Sequence, residues 1–341
     1  VADMNWDDIT QLAHDVKNCN GNIGDLYPRL SQRLSDVIAS RSNQDMMRFG
    51  ELFAFLNDER CEQWGLSELV ERMNEAVIQA STDAQNDSMA GWFSHNMGNH
   101  YHRIGQHAKA LGYFSLAKNH FEKTGEAFRV TESMQMSALF YRGMGDNGKA
   151  YDLIMQIRER VADDDWRAHP IIVQAWLERD AGNLAKAEAL FQEALEISAV
   201  KGDYGWRLLH AQTLTDLANL YVMMNRFDDA LRTFQESLAL LEQLAFVERQ
   251  IARTSLKMSK LMRRQRRWDE MSGLLKKADL IASAIHYREI LMQVSIERGR
   301  MAFLRGQLWL AVRHFWVALG YLRTLGTNKI THKLRTMLRL K

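Results

Sequence analysis

The sequence predicts an all-α chain, an α-solenoid of stacked helix-turn-helix repeats, and three observations carry that prediction. Only two prolines, Pro28 and Pro170, occur in 341 residues, where about 5% is usual. Proline removes a helix hydrogen bond and clashes with the preceding turn, so its scarcity permits long helices. Leu, Ala, Met, Gln, Arg and Glu are plentiful, and all are good helix formers. A pattern of small and aromatic residues also returns at intervals near 40 residues, as expected of a stacked array.

Taken in chain order, residues 1–85 show no clean repeat. LYPRLSQRLSDVIA, DMMRFGELFAFL and LSELVERMNEAVIQA each carry an apolar stripe at three- and four-residue spacing and read as helices. STDAQNDSM, residues 81–89, is short and polar and reads as the best linker candidate. Residues 1–85 are therefore expected to be an irregular helical beginning, continuous with the array that follows.

The repeat starts in SHNMGNHYHRIGQHAKALGYFSLA. Gly98 and Tyr101 share one helix face, Gly105 marks a turn, and Ala110, Phe114 and Ala117 follow at helical spacing. The same arrangement recurs with Tyr141, Gly145 and Ala150, then with Gly182, Ala187, Phe191 and Ala194. It returns with Ala218, Tyr221, Asn225, Ala230 and Phe234, and weakly with Met271, Leu275 and Ala278. Gly299, Gly306, Ala311, Phe315 and Ala318 restore it. A small residue lets paired helices approach, and the aromatic ring fills the space beside it. Gly or Asn at the turn accepts the left-handed backbone that ends a helix. One pair cannot bury its apolar stripe alone, so copies must stack.

These residues resemble the tetratricopeptide repeat, whose Gly, Tyr, Gly, Ala, Phe/Tyr, Ala pattern residues 91–117 match throughout. The resemblance implies a right-handed α-superhelix with six repeats over residues 86–325. The period departs from the basic 34 residues and the closing proline is absent. Expanded repeats of this length are similar to those in the C-terminal sensor regions of bacterial signal-transduction ATPases with numerous domains (STAND proteins). They are also similar to those of peptide-sensing quorum regulators and kinesin light chains. In STAND proteins a Trp-containing helix pair precedes the repeats, and WGLSELVERMNEAVIQA from Trp64 resembles it. Residues 326–341, with Ile330, Leu334, Met337 and Leu338 in a stripe, read as a basic capping helix or the start of a further repeat.

Composition narrows the function. Cys19 and Cys61 have neither the number nor the spacing of a disulfide framework or thiolate zinc site. The start, VADMNWDD, lacks the apolar core of a signal peptide, and no run approaches about 18 apolar residues. A cytoplasmic chain without a membrane span is expected; its first residue, Val, fits a trimmed chain or a piece of a longer one. Residues 250–341 hold 20 Lys+Arg against 5 Asp+Glu, whereas the whole chain holds 44 against 42. That asymmetry suits an acidic partner or self-association through opposite charge poles. RRQRRW and the tail HKLRTMLRLK leave nucleic-acid binding as an alternative, although neither is interleaved with aromatics for base stacking.

No phosphate loop, dinucleotide turn, HExxH or GxSxG occurs, so no enzymatic activity and no cofactor is expected. The run ADDDW at 162–166 reads as a polar cap between repeats. His95, His100, His102 and His107 crowd together, but His95 and His102 lie about 10 Å apart along one helix face. A metal site is not expected, and His100 and His107 read as surface.

The resemblance implies that the first helix of each pair lines a concave groove, through four columns of residues. They place Trp92, His95, Asn99 and His102 in the first repeat and Arg142 in the second. Trp176 and Arg179 follow in the third, Asn219 in the fourth, Lys260 and Arg263 in the fifth, and Arg300 in the sixth. The same columns also take in Ile172, Thr215 and Leu256. Asn can pair with a peptide backbone, Arg can grip a carboxylate, and Trp can anchor an apolar side chain. The expected ligand is a protein or peptide with acidic groups, bound by the sensor region of a STAND-type regulator. A free-standing scaffold or peptide-responsive regulator is the alternative within the same class. The carboxylate clamp of chaperone-binding relatives is matched only at Asn99.

Overall fold

A computed structural model of the chain describes residues 5–18, 23–57, 65–161, 165–285 and 287–323. Cys19, Cys61, Trp64, most of the 162–166 aspartate run and the 326–341 segment lie outside the described residues. Among the described residues there are sixteen α-helices, two short 3-10 turns and no strand. The chain divides into two compact units, Val1–Leu153 and Ile154–Lys341.

In the first unit, α1 (Trp6–Asn18) was not anticipated, yet Ile9, Leu12 and Val16 form its fully buried stripe. The expected N-terminal helices are α2 (Tyr27–Ser40), α3 (Asn43–Phe53) and α4 (Ser67–Asp83). The polar 81–89 stretch is no extended linker. Helix α4 runs through Asp83, Gln85 takes a positive φ of 57°, and α5 (Asp87–Arg103) begins at once behind an Asn86 cap on Met89 N–H. Its polarity reflects capping chemistry and exposure at a tight turn. Helices α6 (His107–Thr124) and α7 (Ala127–Met144) complete this unit with the start of α8 (Asn147–Arg160). One core runs from Ile9 through Phe49, Phe53, Val77 and Phe93 to Phe114 and Phe140.

The second unit holds the rest of α8, then α9 (Ala168–Asp180) with α10 (Leu184–Ala199), and α11 (Tyr204–Met223) with α12 (Phe227–Glu242). It ends with α13 (Glu248–Arg264), α14 (Trp268–Ala284), α15 (Arg288–Leu304) and α16 (Leu308–Arg323). Partners within a pair pack together, each second helix meets the next first helix, and α11, α13 and α15 also touch in succession. The first helices thereby form a layer, which brings side chains one repeat apart within reach of one another.

The turns repeat one device. At Gly105, Gly145, Gly182, Asn225, Arg266 and Gly306 the backbone is left-handed, with φ between 58° and 86°. In each, the following N–H bonds a carbonyl five residues back, at 2.8–2.9 Å, which satisfies a helix-end acceptor. Arg266 explains the weak fifth repeat: a non-glycine residue stands where five repeats use Gly or Asn. Within the pairs, Gly98 backs onto the Phe114 ring and Gly299 onto Phe315.

Candidate functional site

The predicted columns divide into two kinds of position. Ile172, Thr215 and Leu256 are buried, and the Thr215 hydroxyl is bonded to Ser237 and Thr254. These are packing positions between repeats, not ligand positions. The charged, aromatic and amide positions instead remain at least partly open.

In the first unit, α5 presents Trp92, His95, Asn99 and His102. Trp92 packs edge-on to Phe93 and borders a cavity of about 470 Å³, with Glu51, Ser88, Met89, Glu126 and Arg129 around it. His95 Nδ1 lies 3.2 Å from Ser133 Oγ on α7, and its ring meets Phe114 edge-on. Burial, helped by the Arg129 charge, lowers the His95 pKa to about 4, so the imidazole is neutral near pH 7. Asn99 is half-buried and its amide forms no hydrogen bond among the described residues. His102 is exposed and stands perpendicular to Phe140 at 4.6 Å, while Arg142 is half-buried on α7.

His100 and His107, expected at the surface, lie elsewhere. His100 is fully buried, with Nε2 3.2 Å from Glu71 Oε1 on α4. Tyr101 donates its hydroxyl to the other Glu71 oxygen at 2.9 Å. The Tyr101 pKa rises through burial, then through the Glu71 bond and charge. His100 therefore ties the N-terminal helices to the first repeat. The sequence hides this role because the carboxylate is 29 residues away. His107 is half-buried beside Phe140. Among the described residues, no group of three or more His, Cys, Asp or Glu is placed to hold a metal ion.

In the second unit, the first-helix layer carries a chain of polar contacts. On α9 the Trp176 indole N–H donates to Asp216 Oδ2 of α11 at 3.0 Å, and Lys257 Nζ of α13 reaches Asp216 Oδ1 at 2.6 Å. Farther along, Glu297 of α15 is almost wholly buried. Its two oxygens accept from Arg263 Nε at 3.0 Å and from Arg300 Nη1 at 2.7 Å. Lys260 lies between these two groups on α13, half-buried, with no ion pair or hydrogen bond among the described residues. Burial lowers its pKa; Glu297 opposes that, while Arg300, Lys257 and Arg263 reinforce it. Asn219 is half-buried with its amide likewise uncommitted, and Arg179 pairs with its neighbour Asp180 at 2.9 Å.

Sequence reasoning missed Asp216, Lys257 and Glu297. Each lies three residues before a predicted residue, Asn219, Lys260 or Arg300, hence one turn away on nearly the same face. Carboxylates are interleaved with the cations, and they hold Arg263 and Arg300 in place.

The pattern of the tetratricopeptide repeat family matches residues 177–243. No curated protein matches the chain in sequence. Among solved structures, the quorum sensor NprR of B. thuringiensis, in its apo form, aligns at a TM-score of 0.60 and 13% identity, covering 92% of this chain and 86% of its own. The Rap conjugation gene regulator of plasmid pLS20, solved with the Phr* peptide, aligns at 0.56 and 11% identity, covering 87% and 95%. A STAND protein with a tetratricopeptide repeat sensor from Pyrococcus horikoshii aligns at 0.53 and 14% identity, covering 93% of this chain and 53% of that one. At these identities the likeness concerns the fold. The six recurring turns, the paired helices and these alignments together establish an all-α tetratricopeptide-repeat fold resembling that of STAND sensor proteins.

Proposed function

We propose that the chain is a non-enzymatic polypeptide-binding module, the ligand-sensing part of a cytoplasmic STAND-type regulator. The observation that carries this reading is the first-helix layer of the second unit. Trp176, Asn219, Lys260, Arg263 and Arg300 stand there on four successive first helices; Asp216 and Glu297 tie Trp176, Lys257, Arg263 and Arg300 together, and Asn219 and Lys260 stand uncommitted among them. Such a row suits an extended chain: amides for its backbone, an indole for an apolar side chain, cations for its acids. Trp92, His95, Asn99 and His102 offer a second contact surface in the first unit. The Rap regulator solved with a peptide lends support to this class of ligand.

Nucleic-acid binding draws less support, because Lys257, Arg263, Arg267 and Lys277 of the basic third are already paired with carboxylates. Two amides allow a clean test, since Asn99 and Asn219 support no internal side-chain hydrogen bond. A partner captured from the native host should bind Asn99→Ala with Asn219→Ala more weakly, by about 1 kcal/mol per lost bond. Undiminished affinity in the double variant, or a partner that is nucleic acid, would refute the proposal.

A further inference from the structure

We propose that Lys260, flanked by Arg263 and Arg300, is the docking point for a carboxylate of the bound polypeptide. This deepens the polypeptide-binding reading and rests on it.

The inference starts from charge and geometry. Lys257, Lys260 and Arg263 follow one another at three-residue spacing on α13, so their side chains lie on neighbouring positions of one face. Arg300 joins them from α15, because it and Arg263 grip opposite oxygens of one carboxylate, Glu297. These four cations meet two carboxylates in the cluster, Asp216 and Glu297. Two positive charges remain uncompensated within a half-buried setting. Lys260 carries the plainest surplus, since its neighbours all have a carboxylate and it has none.

A half-buried ammonium without a hydrogen-bonded partner is costly, because burial removes water and only the charge of Glu297, already shared by two guanidinium groups, offsets the loss. The depressed Lys260 pKa reflects the same cost. An entering carboxylate would relieve it. Arg263 spends only Nε on Glu297, and Arg300 only Nη1. Their remaining guanidinium N–H groups are left to grip a second carboxylate. Glu297, almost wholly buried, sets the positions of both guanidinium groups. The ligand carboxylate can belong to an Asp or Glu side chain or to the chain's C-terminus.

The test uses the full chain and three pools of nonapeptides labelled with a neutral boron-dipyrromethene dye that carries no carboxylate, read by fluorescence polarisation. The first pool is amidated and free of acidic residues. The second is amidated with one Asp or Glu, and the third has a free C-terminal carboxylate and no acidic side chain. The second or third pool should bind about tenfold more tightly than the first, and whichever does so identifies the source of the carboxylate. Lys260→Met should abolish that preference, so that all three pools bind alike, and Lys260→Arg should restore most of it. An unaltered melting curve for Lys260→Met shows that the fold is kept. Equal binding of all three pools, or an unchanged preference in Lys260→Met, would overturn the docking point and leave polypeptide binding intact. Displacement by inorganic phosphate but not by acetate would overturn the carboxylate assignment. Failure of every pool to bind would remove both readings together.

Discussion

Replacing Gly98 by Ala tests the packing rule that defines the repeat. A Cβ built on Gly98 would sit 2.7 Å from Phe114 Cε1 and 2.8 Å from both Cδ1 and Cζ. Carbon atoms prefer separations of about 3.5–4.0 Å, so the ring must retreat by roughly 1 Å. It has little room, being fully buried and wedged against His95 and Phe140. Overpacking of this kind costs about 1–3 kcal/mol, set against about 1 kcal/mol gained by removing a helical glycine. Gly112 provides the control, since it is exposed in the middle of α6 and a Cβ there meets nothing within 4 Å. Gly112→Ala should therefore stabilise by about 1 kcal/mol, and Gly98→Ala should lie about 1–3 kcal/mol below it. In a unit of this size such a gap separates the two melting points by several degrees, at about 2–4 °C per kcal/mol. Differential scanning calorimetry of both variants measures it. Equal melting points would refute close packing of Gly98 on Phe114 as the basis of the pair.

Three further outcomes follow from particular contacts. Glu71→Ala removes one carboxylate from both buried His100 and Tyr101, so urea unfolding should report a loss of about 2–4 kcal/mol, whereas a surface glutamate would cost almost nothing. His95 has a folded pKa of about 4 against about 6.5 unfolded. Its contribution is complete above pH 6.5, because only the unfolded chain takes up the proton between the two values. Stability should thus decline as pH falls from 6.5 to 4, by at most about 3 kcal/mol, and His95→Gln should flatten that part of the profile. The Tyr113 pKa is pushed up to about 12 by burial and by Glu75. Absorbance at the phenolate band should consequently show Tyr113 still protonated at pH 11, and Tyr113→Phe should leave the pH 11 signal unchanged.

The turns inside the helix pairs were legible in the chain itself because their causes are local. A left-handed residue ends a helix by its own backbone freedom, and Gly105, Gly145, Gly182, Asn225 and Gly306 all occupy that role. Small residues facing aromatics encode close helix approach over about 16 positions, which is why Gly98 and Phe114 could be paired by spacing alone. Helix α1 escaped notice despite its regular stripe of Ile9, Leu12 and Val16.

The site was legible only in outline, since a column of first-helix positions names candidates but not their partners. Whether a histidine is surface or core depends on what covers it: His100 is buried because Glu71 arrives from a different helix pair. The balance of charge along the second unit likewise depends on contacts made about 35–40 residues apart, such as Trp176 to Asp216 and Arg263 to Glu297. Helical periodicity determined which side chains share a face. Stacking of one repeat on the next decided which of them meet, because only superposed helices bring a carboxylate to one cation and leave Lys260 without any.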